Sequence, residues 1–176
     1  MSAELIAELF RGDSNLIQPG KIASHVAMIK SAKYPKALFV SDGVLNDQPD
    51  FVTKLAIIQN AIDLAHRLGV TKPKVAVLSA VEVVYPQMPV TMEAAVLAKM
   101  GDRGQIAGAF VDGPLSVDCA VDILAAQSKG IKKSEVAGDA DILIAPNTAT
   151  AHGMYEAMQF YGDCQVGGVV VGGVVP

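Results

Sequence analysis

Short runs of aliphatic residues alternate with helix-length segments along most of this chain. The runs "PKVAVLSA", "IAGAFVD" and "ADILIAP" are separated by segments such as "TMEAAVLAKMG" and "LSVDCAVDILAAQSKG". Parallel neighbours in a sheet need a crossover of about that length, and the crossover is usually a helix. The alternation therefore predicts βαβ units and a mostly parallel sheet with helices packed on it.

The stretch "DFVTKLAIIQNAIDLAHRLG" has the most regular helix pattern. Its apolar residues recur in steps of four and three, which places them on one face of a helix. They are Phe51, Leu55, Ile58, Ile62 and Ala65. Asp50 is a favourable residue to cap the start of this helix, and Gly69 stands where a left-handed residue would end it.

The N-terminal part of the chain follows a different pattern. The apolar runs "KIASHVAMIK" and "KALFVSD" are joined by "SAKYP", which leaves no room for a crossover helix. They predict an antiparallel pair, which we expect at one edge of the sheet. No repeat or linker divides the chain. We therefore expect residues 1–176 to form one three-layer α/β domain with a mostly parallel mixed sheet and an antiparallel edge hairpin.

Composition excludes several classes of function. The chain is 51% hydrophobic and 18% charged, and its net charge is −4 at pH 7. This acidic balance offers no electrostatic basis for binding nucleic acid or an anionic membrane surface. Cys119 and Cys164 have the spacing of neither a disulfide framework nor a metal site, so we expect reduced thiols and no metal. The acidic start "MSAELIAELFRGDS" does not resemble a signal peptide, and a cytoplasmic location is expected.

Polar residues follow several of the apolar runs. Ligands of open parallel sheets bind beyond the carboxyl ends of the strands, so these loops are candidate sites. In "SDGVLND", Asp42 and Asn46 could face a ligand, although both residue types are also common in turns and caps. In "VDGPLSVD", Asp112 is expected at a strand end facing the crevice. Gly113 follows it, and Pro114 fits the first position of a helix.

A second group of polar residues surrounds predicted helix starts. Asp118 is best explained as an acid in a first helical turn, where the helix dipole favours an anion. The loop "APNTATAH" places Asn147 and His152 around another helix start, whose free amides could bind phosphate. His152 could act as a base or ligand, or it could be structural. His25 and His66 are most simply a strand residue and a solvated residue.

Three common nucleotide and hydrolase motifs do not occur in the chain. There is no G-x-G-x-x-G after an apolar run, no G-x-x-x-x-G-K-[ST] and no G-x-S-x-G. Dinucleotide redox chemistry, nucleotide hydrolysis and a serine-hydrolase mechanism therefore lose support.

Three longer strings identify a family. "DGPLSVDCAV", the upstream "KMGDRGQI" and the downstream "AGDADIL" resemble the phosphate acetyl/butyryltransferase family. "SDGVLNDQPDFVTKLAIIQNAIDLAHRLG" is similar to its phosphate butyryltransferase branch, so the resemblance covers nearly the whole chain. It implies acyl transfer between coenzyme A and inorganic phosphate, with an acyl-CoA thioester as substrate and no bound cofactor. It also implies an isocitrate/isopropylmalate dehydrogenase-like fold, a homodimer, and a crevice to which Tyr155 contributes.

The chain also departs from this family. Members have two α/β domains with a cleft between them, and the chain resembles the middle domain alone. By this resemblance, a Ser-Arg loop and an acid that carry much of the chemistry would lie beyond Pro176. Where the family has N-x-x-Y-K, the tyrosine is kept as Tyr155, but His152 and Glu156 replace the asparagine and the lysine. The reversed charge should weaken binding of phosphate or coenzyme A. A non-catalytic dimerising or acyl-CoA-sensing module is therefore the alternative function.

Overall fold

The computed structural model describes residues 16–17 and 20–173. Within these residues the chain forms six strands and five helices that alternate after an initial pair of strands. The strands are β1 (Ser24–Lys30), β2 (Leu38–Ser41), β3 (Lys74–Leu78), β4 (Phe110–Leu115), β5 (Ile142–Ile144) and β6 (Gln165–Val171). The helices are α1 (Phe51–Arg67), α2 (Pro89–Asp102), α3 (Val117–Val121), α4 (Ile123–Ser128) and α5 (Thr148–Tyr161). None of the helices in these residues is long and apolar enough to cross a bilayer.

The six strands form one mixed sheet in the order β4-β3-β5-β2-β1-β6. Strands β4, β3, β5 and β2 run parallel, as the alternating pattern predicts. Strands β1 and β2 form the predicted antiparallel pair, with Val26 opposite Ser41. The prediction that this pair forms the edge is wrong. All seven residues of β6 pair with β1, from Ser24 opposite Val171 to Lys30 opposite Gln165, so β6 is the edge strand.

Helices cover both faces of the sheet. Successive residues of β3 point to opposite sides, so that Val75 and Val77 belong to one buried cluster and Ala76 and Leu78 to the other. Helices α1 and α2 contribute to the first cluster, and α3, α4 and α5 contribute to the second. The arrangement is therefore three-layered, with a core on each side of the sheet.

Helix α1 begins and ends as its sequence predicts. The Asp50 Oδ1 accepts a hydrogen bond from the Thr53 amide at 2.8 Å. Gly69 has φ of +91°, and its amide donates to the His66 carbonyl at 3.0 Å. Both caps satisfy backbone groups that the helix itself leaves unpaired. The residues of the predicted inner face that are fully buried are Ile58, Ile62 and Ala65.

An ion pair links the two helices on this face of the sheet. Lys54 of α1 is 3% exposed, and its ammonium group donates to the Glu93 carboxylate of α2. A charge that is buried in this way is tolerated because its partner of opposite charge is close. The pair therefore fixes the position of α2 relative to α1.

We expect Glu93→Ala to destabilise the chain by about 3 kcal/mol, because it leaves the buried Lys54 ammonium without its partner. Urea denaturation followed by circular dichroism measures this loss. Asp102→Ala is the matched control on α2, because the Lys99–Asp102 pair is 62% exposed on both sides and is worth about 0–1 kcal/mol. Equal losses for the two variants would contradict a special role for the buried pair.

Candidate functional site

The loops after β2, β3 and β5 meet at one edge of the sheet. These strands are parallel, so their carboxyl ends lie on the same side. The loop that follows β2 covers residues 42–50, and three residues separate the end of β5 at Ile144 from the start of α5 at Thr148. This edge is where open parallel sheets bind ligands.

Asp42 organises the loop that follows β2. The side chain is buried, with the residue 4% exposed. Its Oδ1 accepts from the amides of Val44 and Leu45 at 2.8 and 2.9 Å, and its Oδ2 accepts from Asn46 Nδ2 at 2.5 Å. Asn46 Nδ2 also donates to the carbonyl of Ala23 at 2.9 Å. Asp42 and Asn46 therefore shape this loop through a turn, which is the structural role that their residue types allow.

The start of α5 docks on the same loop. Asn147 caps the helix, since its Oδ1 accepts from the amide and the hydroxyl of Thr150 at 2.9 and 2.8 Å. The Thr148 amide donates to the Asp47 carbonyl at 3.0 Å, and the Thr148 hydroxyl donates to the Asn46 carbonyl at 2.7 Å. Two of the first amides are thus already engaged. This helix start has fewer free donors for phosphate than its sequence suggests.

His152 and Tyr155 lie over this loop on the next turn of α5. The His152 Nδ1 is 2.9 Å from the Gly43 carbonyl oxygen and 2.6 Å from the Tyr155 hydroxyl. The Nε2 is 3.2 Å from Glu156 Oε1. Burial raises the pKa of Tyr155, and the carboxylates of Glu156 and Asp42 raise it further. Tyr155 therefore keeps its proton at neutral pH and can act as a hydrogen-bond donor.

His25 belongs to this cluster, although the sequence suggested only a strand residue. It is 8% exposed, its Nδ1 has no partner among the described residues, and its ring lies 6.0 Å from that of Tyr155. The ring occupies a slot between two glycines. A Cβ at Gly43 would lie 3.0 Å from Nδ1, and one at Gly168 would lie 2.4 Å from Nε2. The pairing of Val26 with Ser41, which places His25 beside Asp42, is the signal that could have identified it.

Burial lowers the pKa of His25, and the nearby His152 lowers it further, while the Asp42 carboxylate acts in the opposite direction. Neutral imidazole is therefore the stable form of His25 in the folded chain at neutral pH. A buried position with an unpartnered nitrogen favours the uncharged ring, because burial penalises the charged form.

A second cluster lies where β4 passes into α3. Asp118 is in the first turn of α3, as predicted, and accepts from the Cys119 amide at 2.9 Å. The Lys129 ammonium is 2.9 Å from Asp118 Oδ2 and 3.0 Å from Glu82 Oε1. The Ser116 hydroxyl and the Lys129 ammonium lower the pKa of Asp118 to about 2. Glu82, Asp118 and Cys119 are close enough to share a metal ion, with ligand atoms within 4.8 Å of one another, but Lys129 already neutralises these carboxylates.

Asp112, Gly113 and Pro114 lie elsewhere than the sequence suggests. All three are inside β4, so Asp112 does not end the strand and Pro114 does not start a helix. The Asp112 carboxylate accepts from the Ser134 hydroxyl at 2.5 Å. A Cβ at Gly113 would lie 2.7 Å from the Val77 carbonyl oxygen, which explains the glycine by close packing of two strands. β4 is an edge strand, where a proline is tolerated. Two strands, β3 and β5, separate these residues from the cluster around Asp42.

We expect Gly43→Ala to destabilise the chain by about 1–3 kcal/mol, because the new methyl group would lie 2.6 Å from Tyr155 Cε1. Gly153→Ala is the matched control in α5, where nothing lies within 4 Å of a new Cβ. The control should instead gain about 0.5–1 kcal/mol from helix propensity. Urea denaturation of both variants compares them, and a Gly43→Ala variant as stable as the control would refute the close contact.

The lowered pKa of His25 predicts a pH dependence of stability. The unfolded chain takes up a proton below about pH 6.5, whereas the folded chain resists protonation at this position. The contribution is therefore complete above that pH and is lost as the pH falls towards the folded pKa. Replacing His25 by glutamine should flatten the free energy of unfolding below about pH 6.5. His66→Gln, on the exposed side of α1, is the control, and an unchanged slope in His25→Gln would contradict the assignment.

Comparison with known proteins identifies the family of this chain. The family described as "Phosphate acetyl/butaryl transferase" matches residues 9–176. The chain is 44% identical to a phosphate butyryltransferase of Clostridium acetobutylicum, over 91% of this chain and 53% of that protein. It is 41% identical to a phosphate acetyltransferase of Thermotoga maritima, over 91% of this chain and 54% of that protein.

A solved structure is also similar over the full length of this chain. It is a branched-chain phosphotransacylase from Enterococcus faecalis V583, with a TM-score of 0.86 and 32% identity, covering 100% of this chain and 62% of that one. The chain spans about half the length of the curated relatives that it matches. On the family match and these identities, the chain belongs to the phosphate acetyl/butyryltransferase family.

Proposed function

We propose that this chain forms part of a phosphate acyltransferase, which converts an acyl-CoA and phosphate into an acyl phosphate and free coenzyme A. The observation that carries the proposal is the 44% identity to a phosphate butyryltransferase over 91% of the chain. In this proposal the chain is the middle domain of a two-domain enzyme. The six-stranded mixed sheet between two helix layers is consistent with an isocitrate/isopropylmalate dehydrogenase-like domain.

The cluster around the loop after β2 would form one wall of the substrate crevice. Asp42 and Asn46 hold the loop, Asn147 holds the start of α5, and His152 and Tyr155 project from the first turns of that helix. The Tyr155 hydroxyl is a neutral donor suited to a carbonyl or phosphoryl oxygen. Asp112, Gly113 and Pro114 lie within β4, which two strands separate from β2, and we do not assign them to this wall.

The reaction itself needs groups that stabilise negative charge. When phosphate attacks the thioester carbonyl, the tetrahedral intermediate carries an oxyanion, and the departing thiolate takes the electron pair of the broken carbon–sulfur bond. Fixed donors around the carbonyl would lower the barrier. We propose that the Ser-Arg loop and the acid implied by the family supply these groups from outside residues 1–176. The wall described above would orient the substrates.

A non-catalytic dimerising or acyl-CoA-sensing module is the second candidate, and the charge of the crevice favours the dimerising form. The Glu156 carboxylate is close to His152, where it repels an incoming phosphate or the phosphates of coenzyme A. A chain of this kind would bind acyl-CoA or self-associate without turnover. Exposed apolar residues on the loop before α2 and on α2 would suit a homodimer contact. They are Val83, Val84, Tyr85, Met92 and Val96.

Three measurements separate these functions. Thiol release from butyryl-CoA and acetyl-CoA in the presence of phosphate tests catalysis, and no turnover on either would contradict independent activity. Calorimetric titration with coenzyme A tests binding, and no heat at two temperatures would contradict a coenzyme A site. Sedimentation at micromolar concentration tests the homodimer, which a purely monomeric chain would exclude.

We expect Glu156→Lys to strengthen binding of coenzyme A by about threefold to tenfold, because it replaces repulsion by attraction at a partly solvated position. The calorimetric titration measures this change. Glu135→Lys is the matched control, since it changes the net charge equally on the exposed loop between α4 and β5, at the opposite edge of the sheet. An equal gain in both variants would show that only net charge matters.

A further inference from the structure

A cleft separate from the crevice opens at the far end of α5. It has a volume of about 550 Å³, which lies within the range of small-molecule sites. It lies where β1 ends, β2 begins and α5 ends, on the face of the sheet that carries α3, α4 and α5. Helix α5 has 14 residues, so its two ends are about 20 Å apart. We call this space the apolar cleft.

Aliphatic side chains and a cysteine sulfur form the floor of the apolar cleft. Ile29, Leu38 and Cys164 lie at its base and are 1%, 3% and 8% exposed. Met158 and Ile123 line its sides, and Ile123 is 50% exposed at the rim. An apolar chain placed on this floor would be removed from water on several sides, which is the main source of affinity for such a ligand.

Most polar groups of the cleft are already engaged. The Tyr34 hydroxyl donates to the Ala140 carbonyl at 2.7 Å. The exposed Asp122 carboxylate also lines the cleft, but it caps the start of α4, where its Oδ1 accepts from the Leu124 amide at 2.8 Å and the helix dipole favours its negative charge. The ammonium group of Lys33, at the exposed rim, has no hydrogen-bond or ion-pair partner among the described residues. One unengaged cation at the mouth of a hydrocarbon floor suits a ligand with an anionic head and an apolar tail.

We propose that the apolar cleft binds a medium-chain carboxylate, whose hydrocarbon chain lies on Ile29, Leu38 and Met158 and whose carboxylate pairs with Lys33. The carboxylate ligand is held non-covalently, and no bond is made or broken. This site is separate from the acyltransferase crevice, so a negative result for one proposal does not contradict the other.

Thiol protection tests occupancy of the cleft. Cys164 lines the cleft, whereas Cys119 lies on α3, is fully buried and serves as the internal control. Octanoate should slow alkylation of Cys164 by iodoacetamide at least about fivefold at saturation and leave Cys119 unchanged. Mass spectrometry of the digested chain measures both rates. Equal rates for Cys164 with and without octanoate would contradict the proposal.

The length and charge of the ligand give a second test that does not depend on thiol reactivity. In methyl NMR titrations of the Met158 and Ile29 signals, affinity should rise about tenfold for each added pair of methylenes from butyrate to hexanoate to octanoate. The Ile58 methyl signals, on the opposite face of the sheet, should not move. Octylamine should bind at least about threefold more weakly than octanoate. No saturable shift with millimolar octanoate, or equal binding of octylamine, would overturn the proposal.

Substitution of the rim lysine completes the test. Lys33→Gln should weaken octanoate binding by about threefold to tenfold, because it removes the charge that pairs with the carboxylate. Lys132→Gln, on the loop between α4 and β5, removes the same charge from an exposed position outside the cleft and should leave the affinity unchanged. Equal losses in the two variants would exclude Lys33 as the partner of the carboxylate.

Discussion

Burial of both faces of the sheet determines where this chain can keep polar groups. In β5 the residues Ile142, Leu143 and Ile144 are all at most 1% exposed, because helices cover the sheet above and below. A hydrogen-bonding or charged side chain in the middle of these strands would lose its water without gaining a partner. The polar groups around β5 therefore collect beyond its ends. At the amino edge, Lys36 binds Asp139 and Asp141, and the carboxyl edge carries the candidate crevice.

The parts of the structure that depend on local physics could be predicted from the sequence. Helix α1 follows from a periodic apolar face, the Asp50 cap and the left-handed Gly69, all of which act within a few residues. The antiparallel pair of β1 and β2 follows from a connection too short for a crossover. The mixed three-layer class follows from the alternation of strands and helices, since parallel pairing requires those crossovers.

The parts that depend on distant pairing could not be predicted. The position of Asp112 inside β4 is set by the pairing of that strand with β3, which continues to Leu115 opposite Leu78. The edge position of β6 depends on its pairing with β1, more than 100 residues earlier in the chain. Lys129, which holds Asp118 and Glu82, lies on a helix end whose direction no local pattern reveals. The pair Gly113 and Pro114 suggests the end of a strand, but an edge strand accommodates both residues.

The slot that holds His25 constrains which substitutions the chain can accept in three of its segments. His25 is on β1, Gly43 follows β2, and Gly168 is on β6, and the imidazole fills the space that a side chain at either glycine would need. A larger residue at position 168 becomes tolerable only after position 25 has become smaller, whereas one at position 43 also needs room from Tyr155. Positions 25 and 168 are thus expected to vary together and in a fixed order among descendants of this chain, although they are widely separated in sequence.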